Sequence, residues 1–287
     1  MVKTIDARDV GWSIIDIDHS PDRRWVAYSS WSDYVFLCNA FGSHELHEGL
    51  HFGTSGGMCK FGIKFSPDSR EILAGCSQGY FILYDIERKT QVCITDGHSD
   101  DINSVCYVSD NPNLFATASD DTYCCVWDKR VQADDGCVGH FGGHLLGLTC
   151  VATKGDERYL LTNGKDQMMK LWDVRNLAAG RPTVRQHGGF GFDYRYQRFS
   201  SQGRRLRSDT SLLTFSGHHI QRTLIRCNFS PVACSGQRFV YSGCASGRVV
   251  VYDILIGEMV HTIHSHNSIV RDVSWHPTFP SIATASV

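Results

Sequence analysis

An all-β propeller, a ring of repeated four-stranded units, is the fold class predicted by three observations on this chain. Phe115-Ala-Thr-Ala-Ser-Asp-Asp121 runs into Val126-Trp-Asp-Lys-Arg130, and 45 residues further on Leu161-Thr-Asn-Gly-Lys-Asp166 runs into Leu171-Trp-Asp-Val-Arg175. Gly97-His98 precedes the first copy and Gly143-His144 the second. A period of roughly 40 to 45 residues with Gly-His early and Trp-Asp late marks one propeller blade.

The units follow one another along the chain. Val2 to Ile5 reads as an outer strand followed by a loop. The first unit runs from Ile14 through His19-Ser-Pro-Asp22 and Tyr28-Ser-Ser-Trp31 to Phe36-Leu-Cys38, and the second contains Phe65-Ser-Pro-Asp68, Leu73-Ala-Gly-Cys-Ser77 and Leu83-Tyr-Asp85. After the two complete copies comes a unit with Phe229-Ser-Pro231, Tyr241-Ser-Gly-Cys244 and Val251-Tyr-Asp253. There tyrosine stands for tryptophan, and Ser246 holds the turn position that Asp has elsewhere. A last unit starts at His266 and stops at Val287, one residue before its turn Asp. Prolines 21, 67, 231 and 277 fall just after a first strand, where a tight connection favours fixed φ and needs no N–H. The expectation is one propeller body over 1–287 with five full units and about half of a sixth, truncated at both ends.

Within the two complete units the spacing predicts a buried polar relay: His98, Thr117, Asp121 and Trp127 in one, His144, Thr162, Asp166 and Trp172 in the next. The carboxylate accepts from His and turn amides, and the hydroxyl bridges His to the indole N–H. Such networks rigidify a sheet when every member is satisfied, and an orphaned member costs on the order of 1–3 kcal/mol. A catalytic His/Asp/Ser reading is set aside because the same constellation recurs in two units, as a triad would not.

Composition narrows the classes. Of 287 residues 42% are hydrophobic and 20% charged, which suits a folded globular body. A net charge of −2 gives no global attraction for nucleic acid or anionic membrane, so nucleic acid is an improbable partner. No run approaches the roughly 18 to 20 apolar residues of a membrane span, and the start lacks a signal-peptide stretch. An intracellular location, nucleus and cytoplasm, is expected. The twelve cysteines are scattered without a Cys-x-x-Cys and read as buried reduced thiols. No metal or cofactor is expected: His261, His264 and His266 have no acidic or thiolate ligand beside them, and Gly53 to Lys60 lacks the P-loop spacing.

Trp172 to Tyr252 spans 80 residues where neighbouring units need 43 and 45. The surplus, 176–217, is expected as an insert between blades; it holds seven arginines against Asp193 and Asp209, interleaved with aromatics. A loop packed on the propeller flank and a docking surface using Tyr194, Arg195, Tyr196 and Arg198 both fit this composition. Binding of single-stranded nucleic acid by stacked rings and cations is a third reading.

Trp127-Asp-Lys-Arg130 followed one unit later by Trp172-Asp-Val-Arg175 resembles the double Trp-Asp-x-Arg box of substrate receptors of cullin-4 RING ubiquitin ligases, which dock on the damage-specific DNA-binding adaptor. Ala7-Arg-Asp-Val-Gly-Trp12, Tyr28-Ser-Ser-Trp-Ser-Asp-Tyr34, Asp193-Tyr-Arg-Tyr196, Leu224-Ile-Arg-Cys227, Tyr241-Ser-Gly-Cys244, Val249-Val-Val-Tyr-Asp253 and Val270-Arg-Asp-Val-Ser-Trp-His-Pro277 are similar to the cullin-4-associated factor 11 family, also called WD-repeat protein 23. The similarity covers essentially the whole chain. It implies a seven-bladed WD-repeat propeller that recruits proteins for ubiquitination, a stress-response leucine-zipper transcription factor among them. Relative to that pattern the chain lacks a first blade and the end of the last.

Carried over to these positions, the resemblance implies adaptor binding by Arg130 and Arg175 within Trp127-Asp128 and Trp172-Asp173, the two aspartates orienting their own blades. A planar guanidinium offers several directed donors that lysine does not reproduce. The function expected is a non-catalytic substrate receptor, with a general WD-repeat scaffold as the alternative and RNA binding through the insert behind it.

Overall fold

Runs rich in Val, Ile, Phe, Tyr and Trp alternate with Gly, Asn and Asp turns, and successive runs pair as antiparallel sheets. The computed structural model describes residues 4–42, 46–53, 57–131, 136–182, 192–197, 199, 205–264 and 266–287. Blade 1 is β1 to β4 (Asp16–His19, Trp25–Ser29, Tyr34–Asn39, His47–His51), and blade 2 is β5 to β8 (Lys60–Phe65, Glu71–Cys76, Tyr80–Asp85, Thr90–Asp96). Blade 3 is β9 to β12 (Ile102–Tyr107, Leu114–Ser119, Tyr123–Asp128, Cys137–Gly142). Blade 4 uses β13 to β15 (Leu148–Thr153, Tyr159–Gly164, Met169–Asp173) and β17 (Leu213–Phe215), with β16 (Ala178–Ala179) between them in sequence. Blade 5 is β18 to β21 (Cys227–Phe229, Phe239–Gly243, Arg248–Asp253, Glu258–His264), and the sixth unit is β22 and β23 (Val270–Trp275, Ile282–Ser286). The described residues thus form five four-stranded propeller blades and a two-stranded sixth.

Register repeats from blade to blade. The residue opening the second strand faces the aspartate closing the third: Glu71 with Asp85, Leu114 with Asp128, Tyr159 with Asp173, Phe239 with Asp253. Blades 2 to 5 therefore have two chemically distinct ends, whereas blade 1 has Asn39 opposite Trp25 at this position. One end, the carboxylate edge, carries these aspartates; the other, the relay edge, carries the turns between second and third strands.

The core lies between blades rather than inside any one of them. Cys106, Val108, Val126 and Phe141 of blade 3 pack on Leu148, Val151, Leu160 and Trp172 of blade 4, and Leu161, Met169 and Phe215 of blade 4 pack on Phe229, Val240 and Tyr252 of blade 5. Removing such surface from water stabilises by about 25 cal/mol per Å², so each blade depends on its neighbours. Near the axis, Arg226 before β18 meets Asp16 of β1 at 2.9 Å, and Asp16 also accepts from the Ile63 N–H of β5 at 2.8 Å. Arg271 of β22 donates to the Ile15 carbonyl at 2.5 Å. These bonds tie blade 1 to blades 2 and 5 and to the sixth unit. All twelve cysteines are free thiols, ten of them buried.

Two expectations are corrected. The insert does not lie between blades: it leaves β15, lays β16 on the outer strand β12 of blade 3, and returns as β17, the outer strand of its own blade 4. β17 is three residues long, too short for alternation to reveal. At the start, Thr4 and Ile5 are not in a strand, and residues 1–3 of the expected Val2 to Ile5 strand lie outside the described residues.

Candidate functional site

At the relay edge, the turn after β10 brings Asp121 to His98 Nδ1 at 2.8 Å, His98 Nε2 lies 2.6 Å from Thr117 Oγ1, and the Trp127 indole N–H donates to the same hydroxyl at 2.8 Å. Blade 4 repeats this with His144, Asp166, Thr162 and Trp172 at 3.0, 2.7 and 2.8 Å. Each carboxylate also takes backbone N–H groups, from Ser99 and Tyr123 on Asp121 and from Leu145 and Met168 on Asp166. Burial pushes the Asp121 carboxyl up, but His98 and the turn amides outweigh it and hold it below the ordinary value. All these groups are engaged inside the sheet stack, which fits a structural part better than a reacting one.

Blade 5 has a different relay that no sequence spacing announces. His218, 1% exposed, pairs its Nδ1 with the Tyr252 hydroxyl at 2.8 Å and its Nε2 with the Asn163 amide oxygen of blade 4 at 2.9 Å. Burial drives its pKa down to about 4. The signal available in the sequence was Gly217-His218, but its partners are a tyrosine and an asparagine from the neighbouring unit.

At the carboxylate edge, Arg130 folds back on Asp128 (Nε to Oδ1 2.9 Å, Nη2 to Oδ2 2.7 Å), and Arg175 does the same on Asp173 at 3.0 and 2.7 Å. The Asp oxygen also accepts the backbone N–H two residues on, which fixes the turn. Hydrogen bonds from Arg130 and from Arg175 are the main cause that holds each carboxyl below the ordinary range. The guanidiniums stay 64% and 65% exposed, while the carboxylates beneath are 12% and 5% exposed. Trp127 and Trp172 are a correction: each is 1% exposed, so neither indole can touch an adaptor. Their rings are consumed by interblade packing, Phe141 stacking on Trp172 at 4.9 Å and Phe81 meeting Trp127 at 4.8 Å.

The insert residues reach the opposite edge. Lys165, in the turn after β14, pairs with Asp120 at 2.6 Å and sits over the Tyr194 ring at 4.2 Å. Arg195 chelates Asp193 at 2.9 Å and Tyr196 is 82% exposed; Arg198 lies outside the described residues. The structure therefore separates the sequence-predicted residues into a closed relay, an exposed pair on the carboxylate edge, and a Tyr-Arg-Tyr loop on the relay edge.

The WD domain, G-beta repeat, matches residues 89–128, 135–173 and 257–287. The LEC14B protein of Lithospermum erythrorhizon is 38% identical over 98% of this chain and 63% of its own length. The DDB1- and CUL4-associated factor 11 homolog of Caenorhabditis elegans is 38% identical over 96% of this chain and 50% of its own. The chain thus spans about half to under two thirds of the length of these relatives. In fold it is similar to a chain of the mitotic checkpoint complex crystal structure, with a TM-score of 0.74 at 18% identity, covering 98% of this chain and 75% of that one.

Proposed function

This chain belongs to the WD-repeat family of the DDB1- and CUL4-associated factor 11 homologues, and from that membership we propose that it is a substrate-receptor subunit of a cullin-4 RING ubiquitin ligase. It docks on the damage-specific DNA-binding adaptor through Arg130 and Arg175 and holds protein substrates elsewhere, a stress-response leucine-zipper transcription factor among them. The chain itself contributes proximity; ubiquitin transfer belongs to the RING and conjugating enzymes, which gain from a raised local concentration of substrate lysines. The Tyr194 to Tyr196 loop of the 176–217 insert, on the edge away from the two arginines, is the candidate substrate contact. Nucleus and cytoplasm are the compartments such a receptor serves, and imaging of a tagged chain checks this.

The observation that carries the reading is the placement of Arg130 and Arg175. They occupy the same position in adjacent blades, each pre-oriented by its own aspartate and largely open to solvent. The chelate itself is not diagnostic, since Arg24 on Asp22 and Arg195 on Asp193 form it too. The test is co-purification: the Arg130→Ala, Arg175→Ala double variant is expected to lose adaptor and cullin-4 while keeping yield and melting. A double variant that still brings down the adaptor removes the assignment. Pull-down without adaptor or cullin-4 peptides from the native chain favours a general WD-repeat scaffold instead.

A further inference from the structure

Blade 5 lacks the arginine of the Trp-Asp-x-Arg box: its sequence reads Tyr252-Asp253-Ile254-Leu255. The site is nevertheless built. Asp253 closes the third strand opposite Phe239, as Asp173 does opposite Tyr159. Its Oδ1 accepts the Leu255 N–H at 2.8 Å, the turn bond that the Arg130 and Arg175 N–H groups make in the other blades. Its Oδ2 takes a guanidinium from another direction, Arg238 Nε at 2.7 Å and Nη2 at 2.6 Å. Arg238 sits just before the second strand, 15 residues upstream of the aspartate. It is 50% exposed above a carboxylate that is 2% exposed, the same layering as in blades 3 and 4. The Arg238 hydrogen bonds are the main cause that holds the Asp253 carboxyl below its ordinary value.

Blade 4 shows that the two routes to this position are compatible. Asp173 carries Arg175 from downstream and, at 3.1 Å, Arg158 from the turn before its second strand. Arg158 and Arg238 occupy the same place in their blades, each after a residue with positive φ, Glu157 at 59° and Gln237 at 58°, and each beside an aromatic, Tyr159 at 4.7 Å and Phe239 at 5.6 Å. A guanidinium has five N–H donors, and a fork on one carboxylate uses about two of them, leaving the rest for a partner.

We infer that Arg238 is a third docking arginine, completing with Arg130 and Arg175 an arc across the carboxylate edge of blades 3, 4 and 5, and that this arc receives an adaptor surface bearing carboxylates and carbonyl oxygens one blade apart. The inference rests on the proposed adaptor docking and extends it to a blade that has no box in its sequence. A chain with a net charge of −2 presents here a row of guanidiniums over neutralised, buried acids, so complementarity is local.

The experiment is adaptor binding by biolayer interferometry with the full chain, in parallel with thermal melting. Arg238→Ala and Arg238→Lys are each expected to weaken binding about tenfold, the range of an interface anchor. Lysine keeps an ion pair to Asp253 but not the fork, so its melting stays that of the native chain. Arg24→Ala, the same type of chelate on blade 1, is expected to bind as the native chain does. If Arg238→Ala binds normally while the Arg130→Ala, Arg175→Ala variant does not, the third arginine is refuted and the docking reading stands. If Arg238→Lys restores both binding and melting, Arg238 only neutralises Asp253 and the inference falls. Equal losses from Arg24→Ala would mean diffuse charge rather than an arc. A native chain that does not bind the adaptor overturns the docking reading and this inference together.

Discussion

The two ends of blade 4 use the same residue types to opposite effect. At the relay edge Asp166 is 1% exposed and all its bonds run inward, to His144 and to the Leu145 and Met168 amides. At the carboxylate edge Asp173 is also buried, but it supports two guanidiniums that remain 45% and 65% exposed. A buried acid bonded to buried donors makes a joint; a buried acid bonded to exposed cations makes a presented surface. In blade 4, then, the loss of an aspartate should cost stability at the relay edge, and the loss of an arginine at the carboxylate edge should cost little.

The largest break in that contrast is Asp166→Ala, which strands His144 and two amides in the interior and should cost about 4 kcal/mol in chemical denaturation. A loss under about 1 kcal/mol would deny the relay its structural weight. Next comes pH. His218 has its pKa lowered from 6.5 to about 4, so it stays neutral when folded while the unfolded chain takes up a proton. Its contribution is fully present above pH 6.5 and is lost as pH falls towards 4, roughly 3 kcal/mol in all. His218→Gln should flatten stability against pH across that window, and an unchanged slope would refute the account. Thr162→Val keeps the shape but leaves the His144 and Trp172 nitrogens without their shared oxygen, at about 2 kcal/mol. The smallest effect belongs to the exposed edge: Arg130→Ala with Arg175→Ala should leave the melting temperature unchanged, and a clear fall would make the arginines part of the joint.

Much of this was legible in the sequence. Trp127 and Trp172 fix the phase of two units, and counting back from them reaches Thr117 and Thr162 at 10 residues in both, with His98 and His144 a further 19 and 18 residues upstream, so each relay is found within one unit's length. That logic fails where partners cross between units. His218 closes on Asn163 of the preceding blade, and Arg238 reaches an aspartate it precedes by a whole hairpin. The aromatic half of each Trp-Asp-x-Arg box also misleads, since the conspicuous residue is the buried one and the exposed arginine lies three residues on. Blade 4 hid its last strand behind the insert, and only pairing of Leu213 with Leu171 shows where the blade resumes.

The two-residue strand β16 has a consequence for solvent exchange. Gly139 and His140 of β12 pair with Ala179 and Ala178, and His140 Nδ1 lies 2.9 Å from the Gly180 carbonyl. A Cβ at Gly139 would come within 2.5 Å of the Ala178 carbonyl, so only glycine lets this strap lie flat. Deuterium should accordingly enter β12 more slowly than the outer strands β8 and β21, and Gly139→Ala should erase that lag, unfastening the insert at its root while leaving the inner strands of blade 3 protected.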